Sequence, residues 1–323
     1  MTPLQLVEIL VFPGLTFFVW VAFAFEWLER KTSARMQGRI GPMVAGPFGL
    51  FQPVADFFKL ASKEMIIPKH SEKFVLTWGP PLYFAAPAIG VIFIPVVGLN
   101  SVVSHPLDLL FVLFVLTFST LMASLLGYST AGRYSTIAIG RLVVQYTSYE
   151  IPLILSVITP AVLAQSLSLN GIVAAQSSYW FIFTAPIGFA VFIIASLAEL
   201  EKPPFDIPSA KTEIVAGWMT DFSGNALAYV KLTKNLSYVF LSALAVTLFL
   251  GGPNGPVLFN QPILQQAMNT FYFMAKLFSV GFLIFVIKTA LARVRIDQAA
   301  ELFWTILTPL SLAQLGLAIL LRW

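Results

Sequence analysis

The chain has 323 residues, of which 58% are hydrophobic and 11% are charged, and its formal net charge is +4. A soluble domain carries about 25% charged residues, so most of this chain's outer surface does not face water. The absence of cysteine excludes disulfides and cysteine-ligated iron–sulfur clusters on this chain. We interpret the excess of Lys and Arg as a topology signal and expect no nucleic-acid partner.

Continuous apolar runs of about 20 residues predict an all-α polytopic membrane protein, because a helix of that length crosses the hydrocarbon. A transmembrane barrel would instead show alternating apolar and polar residues in segments of about ten. We predict one membrane domain, residues 1–323, with about eight spans. They lie at roughly 4–25, 75–98, 108–128, 137–164, 179–199, 227–250, 271–290 and 303–321.

The basic residues are distributed unevenly between the loops. Of the 19 Lys and Arg residues, 17 lie in or beside the odd-numbered loops. The positive-inside bias therefore predicts that the odd loops are cytoplasmic and that both termini are outside, in a prokaryotic cytoplasmic membrane. The even loops are short and almost uncharged, so we expect docking and chemistry on the cytoplasmic face.

The first cytoplasmic loop, around residues 26–64, mixes charges with glycine and proline. After Pro53, the apolar residues Val54, Phe57, Phe58 and Ala61 recur at helical spacing. They predict a short amphipathic helix lying along the membrane surface. A solvated basic loop is the alternative; we favour a shaped surface that meets another protein or a ligand.

Span 4 begins with polar residues, among which Arg141, Gln145 and Tyr149 share one helical face. Glu150 lies inside this span, one turn after Tyr146. A carboxylate in hydrocarbon must face protein, a partner or water, so Glu150 is predicted to be functional. The alternative is an interfacial ion pair with Arg141 or another base.

The stretch AELEKPPFDIPSAKTEIVAGW, residues 197–217, gathers the acids Glu199, Glu201, Asp206 and Glu213, and Asp221 follows shortly after. Carboxylates this close repel each other and titrate together, and with water between them they can pass protons. The same stretch is too apolar for a free loop. We therefore expect it to pack under the helices or under a partner.

Two lysines are candidate counter-charges for these acids. Lys234 lies near the start of span 6, and Lys276, in span 7, is expected to point inward to an acid. Lys288 is expected to reach the membrane interface, as lysines near helix ends usually do. The RVRIDQ motif, with Arg293, Arg295 and Asp297, closes the cytoplasmic side. We find no metal site, nucleotide loop or nucleophile–base pair, and so predict no catalytic residue.

A string of motifs runs in one order along essentially the whole chain: LERKTSARMQGRIGPMVAGPFGLFQPVADFFKL, SYEIP, AELEKPPFDIP, EIVAGW, FSG, FLGG and RVRIDQ. In this order they resemble the H-type (ND-one type) membrane subunit of respiratory complex I. That family includes subunits of membrane-bound hydrogenases and ferredoxin-linked ion-pumping complexes. The resemblance implies a subunit that anchors a peripheral redox arm, forms most of a chamber for the quinone headgroup and begins a charged axis towards the ion-pumping subunits.

The resemblance also implies partners and site residues. Iron–sulfur clusters are expected on partner subunits, with quinone at an interface and no cofactor held by this chain alone. The expected partners are peripheral redox subunits similar to hydrogenase large and small subunits, antiporter-like and small membrane subunits, and lipid. The docking or quinone-chamber-like loop comprises Glu29, Arg30, Arg35, Arg39, Asp56 and Arg141. The predicted charge relay also draws on acids and lysines singled out from the residues themselves; it comprises Glu150, Glu199, Glu201, Asp206, Glu213, Asp221, Lys234 and Lys276.

The chain departs from the family pattern where charge matters. Quinone-reducing members usually read FDLPEGESELVAG, whereas Ser209 and Lys211 replace acids here. Lys234 replaces the glutamate of a common LAEY motif. Three acids are lost and two lysines are gained, so the local charge becomes more positive by about five, a large electrostatic difference at intermediate dielectric.

The departures favour a hydrogenase-like or ferredoxin-linked complex, in which this chain would couple electron transfer to proton or sodium translocation. The alternative is the quinone-chamber subunit of an NADH- or other donor:quinone oxidoreductase, which the GPFGLFQPVAD segment resembles. An autonomous secondary ion transporter is an alternative from another class, and a structural anchor without an ion path is a third.

Overall fold

The computed structural model describes residues 3–98, 101–257 and 261–321, with side chains except at 3–6 and 321. Residues 1–2 and 322–323, whose outward placement the sequence predicts, lie outside the described residues. The described ranges contain helices and no strand. The helices are α1 (Pro3–Leu10), α2 (Leu15–Met36), α3 (Gln52–Ala61), α4 (Lys73–Gly90), α5 (Asp108–Tyr128), α6 (Arg133–Ala164), α7 (Leu169–Ala175), α8 (Phe181–Thr184), α9 (Pro186–Glu199), α10 (Lys211–Ile214), α11 (Gly224–Phe249), α12 (Pro262–Ala290), α13 (Ile296–Glu301) and α14 (Thr308–Leu321).

Within the described ranges, 7 stretches are long and apolar enough to cross a membrane. They are Val7–Met36, Lys73–Phe93, Asp108–Tyr128, Arg133–Ala164, Gly224–Phe249, Pro262–Ala290 and Ile296–Leu320. This confirms the all-α polytopic class. The predicted span 179–199 instead forms two helices, α8 and α9, which are interrupted at Ala185 before Pro186. The 14 residues of α9 extend about 21 Å, less than the roughly 30 Å of hydrocarbon.

The first long helix continues well beyond its predicted end at residue 25. Helix α2 ends at Met36, and the chain turns at Gly38, which has φ +66°. No glycine or proline interrupts residues 26–36, so the helix extends past the apolar stretch. Glu29, Arg30 and Arg35 were predicted in a loop and instead lie on this helix; Arg39 lies in the loop that follows.

The predicted amphipathic helix is present as α3, with Pro53 in its first turn. Its Phe57 ring packs against Phe23 of α2, with ring centroids 5.9 Å apart. Phe58 is 65% exposed and points away from the bundle. One apolar residue thus anchors the helix to the protein, while its neighbour is free to contact lipid.

Helix α11 is the central helix of the bundle. It packs against α2, α3, α4 and α12. In the most apolar 18-residue stretch of α11, 83% of the residues are buried. In the corresponding stretches of the other six long spans, 22 to 50% of the residues are buried. Lys234 and Asn235 of α11 accordingly have protein partners.

The loop after α9 packs under the helices, as the sequence predicts. Phe205, Ile207 and Trp218 are buried, whereas Val215 is 56% exposed. Gly217 adopts φ +64°, and the carbonyl group of Pro208 occupies the space that a Cβ would need. A residue with a side chain would be strained there, so glycine allows the loop to fold back on itself.

Candidate functional site

Ion pairs between two arginines and two acids form the charged rim of the site. Arg141 of α6 is paired with Glu213, and Arg293 Nη1 lies 3.6 Å from Glu213 Oε1. Arg293 Nε also lies 3.1 Å from Asp206 Oδ1. The hydrogen bond from Arg141, followed by the positive charge of Arg141, lowers the pKa of Glu213. Glu213 is therefore anionic at neutral pH.

A cavity of about 300 Å³ opens beside these ion pairs, a size that accommodates a small molecule or a side chain of a partner. The walls combine arginines and acids with three aliphatic side chains. They are Arg141, Ile207, Glu213, Arg293, Val294, Arg295, Ile296 and Asp297. The RVRIDQ motif thus contributes a wall of this cavity, with Arg295 and Asp297 exposed.

Glu201 and Lys234 form a buried ion pair deeper in the bundle. Lys234 Nζ lies 3.0 Å from Glu201 Oε2, and their side chains are 17% and 5% exposed. The indole N–H of Trp218 donates to both carboxylate oxygens of Glu201 at 3.2 Å. Lys234 also lies 5.0 Å from the centroid of the Trp218 ring. Trp218 therefore contacts both members of this ion pair. The sequence did not indicate that role, because Trp218 lies in an apolar stretch.

Glu199 is held by two hydroxyl groups from neighbouring helices. Tyr149 Oη of α6 donates to Glu199 Oε2 at 2.5 Å, and Thr120 Oγ1 of α5 donates to Oε1 at 3.2 Å. Glu199, Glu201 and Lys234 line one small cavity of about 20 Å³. Such a space holds about one water, which could join the two carboxylates.

Glu201, Glu199 and Glu150 form a line of acids in the bundle, joined by shared small cavities, and Glu150 is the last of them. It accepts hydrogen bonds from Tyr146 Oη at 2.6 Å and Thr117 Oγ1 at 3.3 Å. Glu150 does not pair with Arg141, which was the predicted alternative. Arg141 pairs with Glu213 and lies about 13 Å from Glu150 along the axis of α6, towards the start of the helix. A small cavity touches Glu150, Tyr146, Tyr149 and Glu199 together.

A second set of charged residues joins α2 to α3. Arg30 of α2 pairs with Glu26 and, at 2.6 Å, with Asp56 Oδ2. Burial raises the pKa of Asp56, but the hydrogen bonds from Arg30 and Gln52 outweigh it and leave the pKa below its ordinary value. The amide of Asn235 donates to Glu26 Oε2 at 2.5 Å. Asn235 follows Lys234 in α11, so the central helix contacts both these charged residues and the Glu201–Lys234 pair.

Glu29 is bound by two lysines at one carboxylate oxygen. Lys202 Nζ lies 2.7 Å from Glu29 Oε1, and Lys288 is paired with the same atom. The sequence predicts that Lys288 reaches the membrane interface. In the structure its side chain pairs with the buried carboxylate of Glu29 on the facing helix α2.

Lys276 does not point to an acid, which corrects the sequence-based expectation. Its Nζ donates to the carbonyl oxygens of Leu250, Gly252 and Asn254 at 2.6 to 3.0 Å. It also lies 4.5 Å from the centroid of the Trp180 ring. Leu250 caps the C-terminus of α11, where the negative end of the helix dipole attracts a cation, and Gly252 and Asn254 lie in the loop that follows. Lys276 is therefore separate from the line of acids.

The remaining predicted residues lie at the edges of the site. Asp221 lines a small groove with Ser223 and Phe222, apart from the other acids. Arg39 Nε donates to Gln37 Oε1 at 2.8 Å in the exposed first loop, and Arg35 is exposed at the end of α2. In the part of the chain that the structure describes, no three His, Asp or Glu side chains are grouped to hold a metal ion.

Comparisons with known proteins identify the family. The family model described as NADH dehydrogenase matches residues 8–319. The H-type subunit of NADH-quinone oxidoreductase from Bacillus mycoides (strain KBAB4) is 40% identical over 295 residues, covering 91% of this chain and 87% of that protein. The corresponding subunits of Bacillus thuringiensis (strain Al Hakam) and Bacillus anthracis (strain A0248) match with the same identity and coverage.

These relatives do not support the preference for a hydrogenase-like or ferredoxin-linked complex, nor hydrogenase-like partner subunits. The lysines at positions 211 and 234 therefore do not signal that branch. The relatives fit better with the alternative drawn from the first-loop motif. The chain belongs to the NADH dehydrogenase family of H-type complex I membrane subunits.

Proposed function

We propose that this chain is the quinone-chamber and coupling subunit of an NADH:quinone oxidoreductase-type complex. It would join a peripheral redox arm with iron–sulfur clusters to antiporter-like and small membrane subunits. Its own residues would convert events at the quinone chamber into proton movement. The names of the relatives and the charged line through the bundle both support this proposal.

One observation carries the coupling role: acids lie at the charged rim and also within the bundle, where hydroxyl groups and small cavities connect them. Asp206 and Glu213 lie at the rim, Glu201 and Glu199 share a small cavity, and Glu150 shares the next cavity with Glu199. Glu199 and Glu150 accept hydrogen bonds from hydroxyl groups and share a small cavity, an arrangement in which carboxyl groups can exchange protons. A sodium ion would instead need several acceptor oxygens in a shell.

The cavity of about 300 Å³ beside the rim supports a place for a quinone headgroup. Ile207, Val294 and Ile296 give it apolar walls, and Arg293 and Arg295 give it donors suited to quinone oxygens. Sites for small molecules typically combine these two features.

The proposal is tested in the assembled complex in proteoliposomes, with quinone reduction and proton movement measured together. Glu199→Gln is expected to lower the number of protons moved per electron while quinone reduction changes less. Glu301→Gln, which alters an exposed acid outside the line, is the matched control. An unchanged ratio in Glu199→Gln would contradict the coupling role and favour a structural anchor.

Purification tests the transporter alternative separately. A chain that works within a larger complex should co-purify with iron–sulfur proteins, because a partner subunit would bind its charged rim and its first loop. An autonomous secondary transporter would be stable and active without them. Transport by the isolated chain would therefore contradict the proposal.

A further inference from the structure

The segment that leads into the last span is bound to the loop after α9. Arg293 Nε lies 3.1 Å from Asp206 Oδ1, and Arg293 Nη2 donates to the Asp206 carbonyl at 3.1 Å. The backbone N–H of Val294 donates to the Pro204 carbonyl at 3.0 Å. A displacement of residues 204–206 would therefore pull on the start of the last span.

The last span is not a uniform α-helix. After α13 the chain forms a π-helical segment, Leu302–Leu307, before α14 begins. Pro309 has no N–H for the carbonyl of Thr305, four residues earlier, so the regular α pattern cannot continue there. The hydroxyl of Thr308 donates to the Phe303 carbonyl at 2.7 Å and satisfies it within the wider turn. Such π segments are frequent at functional sites.

This π segment places Phe303 between the loop and the line of acids. The Phe303 side chain is fully buried, and its ring centroid lies 5.1 Å from that of Phe205 in the loop. On its other side the centroid lies 6.2 Å from that of Tyr149, in an edge-to-face contact. Phe205 and Tyr149 are themselves 2% and 3% exposed. The three rings form one buried row.

Tyr149 connects this row to an acid, because its hydroxyl donates to Glu199 at 2.5 Å. We propose that Phe303 is a positioning residue that passes a displacement of residues 204–206 to Tyr149 and so to Glu199. Close-packed side chains transmit displacement because the interior leaves little free volume. The inference rests on the proposed function, since it assigns a control element to the same acid.

A second contact between the loop and α6 runs in parallel. The side-chain amide of Gln145, one turn before Tyr149, donates to the carbonyls of Ala198 and Phe205 at 2.8 and 2.9 Å. It holds the backbone of the loop, whereas Phe303 contacts the ring of Phe205. Variants of Phe303 therefore alter the ring contact while the backbone link to α6 stays intact.

The test uses the assembled complex in proteoliposomes. Phe303→Ala is expected to lower protons moved per electron by at least about twofold, with a smaller change in quinone reduction. Phe303→Met, which keeps most of the volume, is expected to restore most of the ratio. Phe273→Ala, at a fully buried phenylalanine of α12, is the control and should leave the ratio unchanged. Phe303→Leu replaces the alanine variant if that variant does not assemble.

The double variant decides whether Phe303 acts through Tyr149. If it does, Phe303→Ala adds no further loss in the Tyr149→Phe background. Additive losses, or an equal loss in Phe273→Ala, would overturn the inference. The proposed function fails separately, if Glu199→Gln leaves the ratio unchanged. A lowered ratio in Glu199→Gln with no effect of Phe303→Ala would overturn this inference alone.

Discussion

The hydroxyl of Tyr149 donates a 2.5 Å hydrogen bond to Glu199 and so links α6 to the end of α9. Glu199 lies at the junction of two small cavities, one shared with Glu201 and one with Glu150. Tyr149 lines the second of these cavities. In the proposed relay, Glu199 is the acid through which a proton would pass between the Glu201–Lys234 pair and Glu150.

Tyr149→Phe should lower proton movement per electron severalfold, because it removes one of the two hydroxyl donors that hold Glu199. Thr120 remains as a donor, so the acid stays in place. Tyr134→Phe, at a half-exposed tyrosine on the same helix, is the control. The measurement is the ratio of proton movement to quinone reduction in proteoliposomes. Equal effects of the two variants would argue against a special role for Tyr149.

Lys234→Met should destabilise the complex by about 3 kcal/mol, because it leaves the carboxylate of Glu201 buried without its cation. The double variant Lys234→Met/Glu201→Gln should recover much of this loss, since no charge then remains buried. Thermal unfolding of the purified complex measures both. A double variant no more stable than the single one would show that the pair is not the source of the loss.

Lys234→Glu tests the charge of the same position. It places a second carboxylate beside Glu201, so we expect proton movement to be perturbed more than electron transfer. Equal loss of both activities would count against a place for Lys234 on the relay. Comparison with Lys234→Met separates the effect of the added negative charge from the loss of the lysine.

Lys276→Met should lower the melting temperature without changing protons moved per electron. The variant deprives the carbonyls of Leu250, Gly252 and Asn254 of their donor, at about 2 kcal/mol. Because these carbonyls lie apart from the acids, coupling should persist. A fall in the ratio comparable to that of Tyr149→Phe would place Lys276 back on the relay.

Acid should loosen the loop around Glu213 only at low pH. The folded-state pKa of Glu213 is lowered below its ordinary value of 4.5, so its pairing with Arg141 stabilises the loop above pH 4.5. That contribution is lost as pH falls through the lowered pKa. Hydrogen exchange of residues 211–219 should therefore be protected at neutral pH and open at acid pH.

Glu213→Gln provides the control for this pH dependence. The variant cannot ionise at this position, so its loop should lack the Glu213-linked change in protection. It should also exchange faster than the wild type at neutral pH, where the wild-type carboxylate is paired. A variant loop with the full wild-type pH response would assign that response to another group.

The long apolar helices and the amphipathic α3 could be predicted from the sequence. Their signals are local, because the length of an apolar run and its periodicity depend on neighbours in the chain. The end of α2 and the break at Ala185 were harder to predict. Charged residues can extend a helix beyond the membrane, and proline can begin a new helix as readily as it ends one.

The acids of the site could also be identified from the sequence. Burying a carboxylate in a membrane span costs free energy, so such residues usually have a function. Their partners could not. Lys234 pairs with Glu201, Lys288 with Glu29, and Lys276 with backbone carbonyls at the end of α11. The same residue type thus meets three different environments.

By itself, the sequence determined the membrane class, the family and the inventory of charged groups. The tertiary structure decided which charges face each other, because side chains 33 and 259 positions apart meet only when α11 packs on the loop after α9 and α12 packs on α2. It also placed Phe303 between Phe205 and Tyr149. Helix packing brings these groups within a few ångströms, a distance at which hydrogen bonds and ion pairs act and which no local pattern encodes.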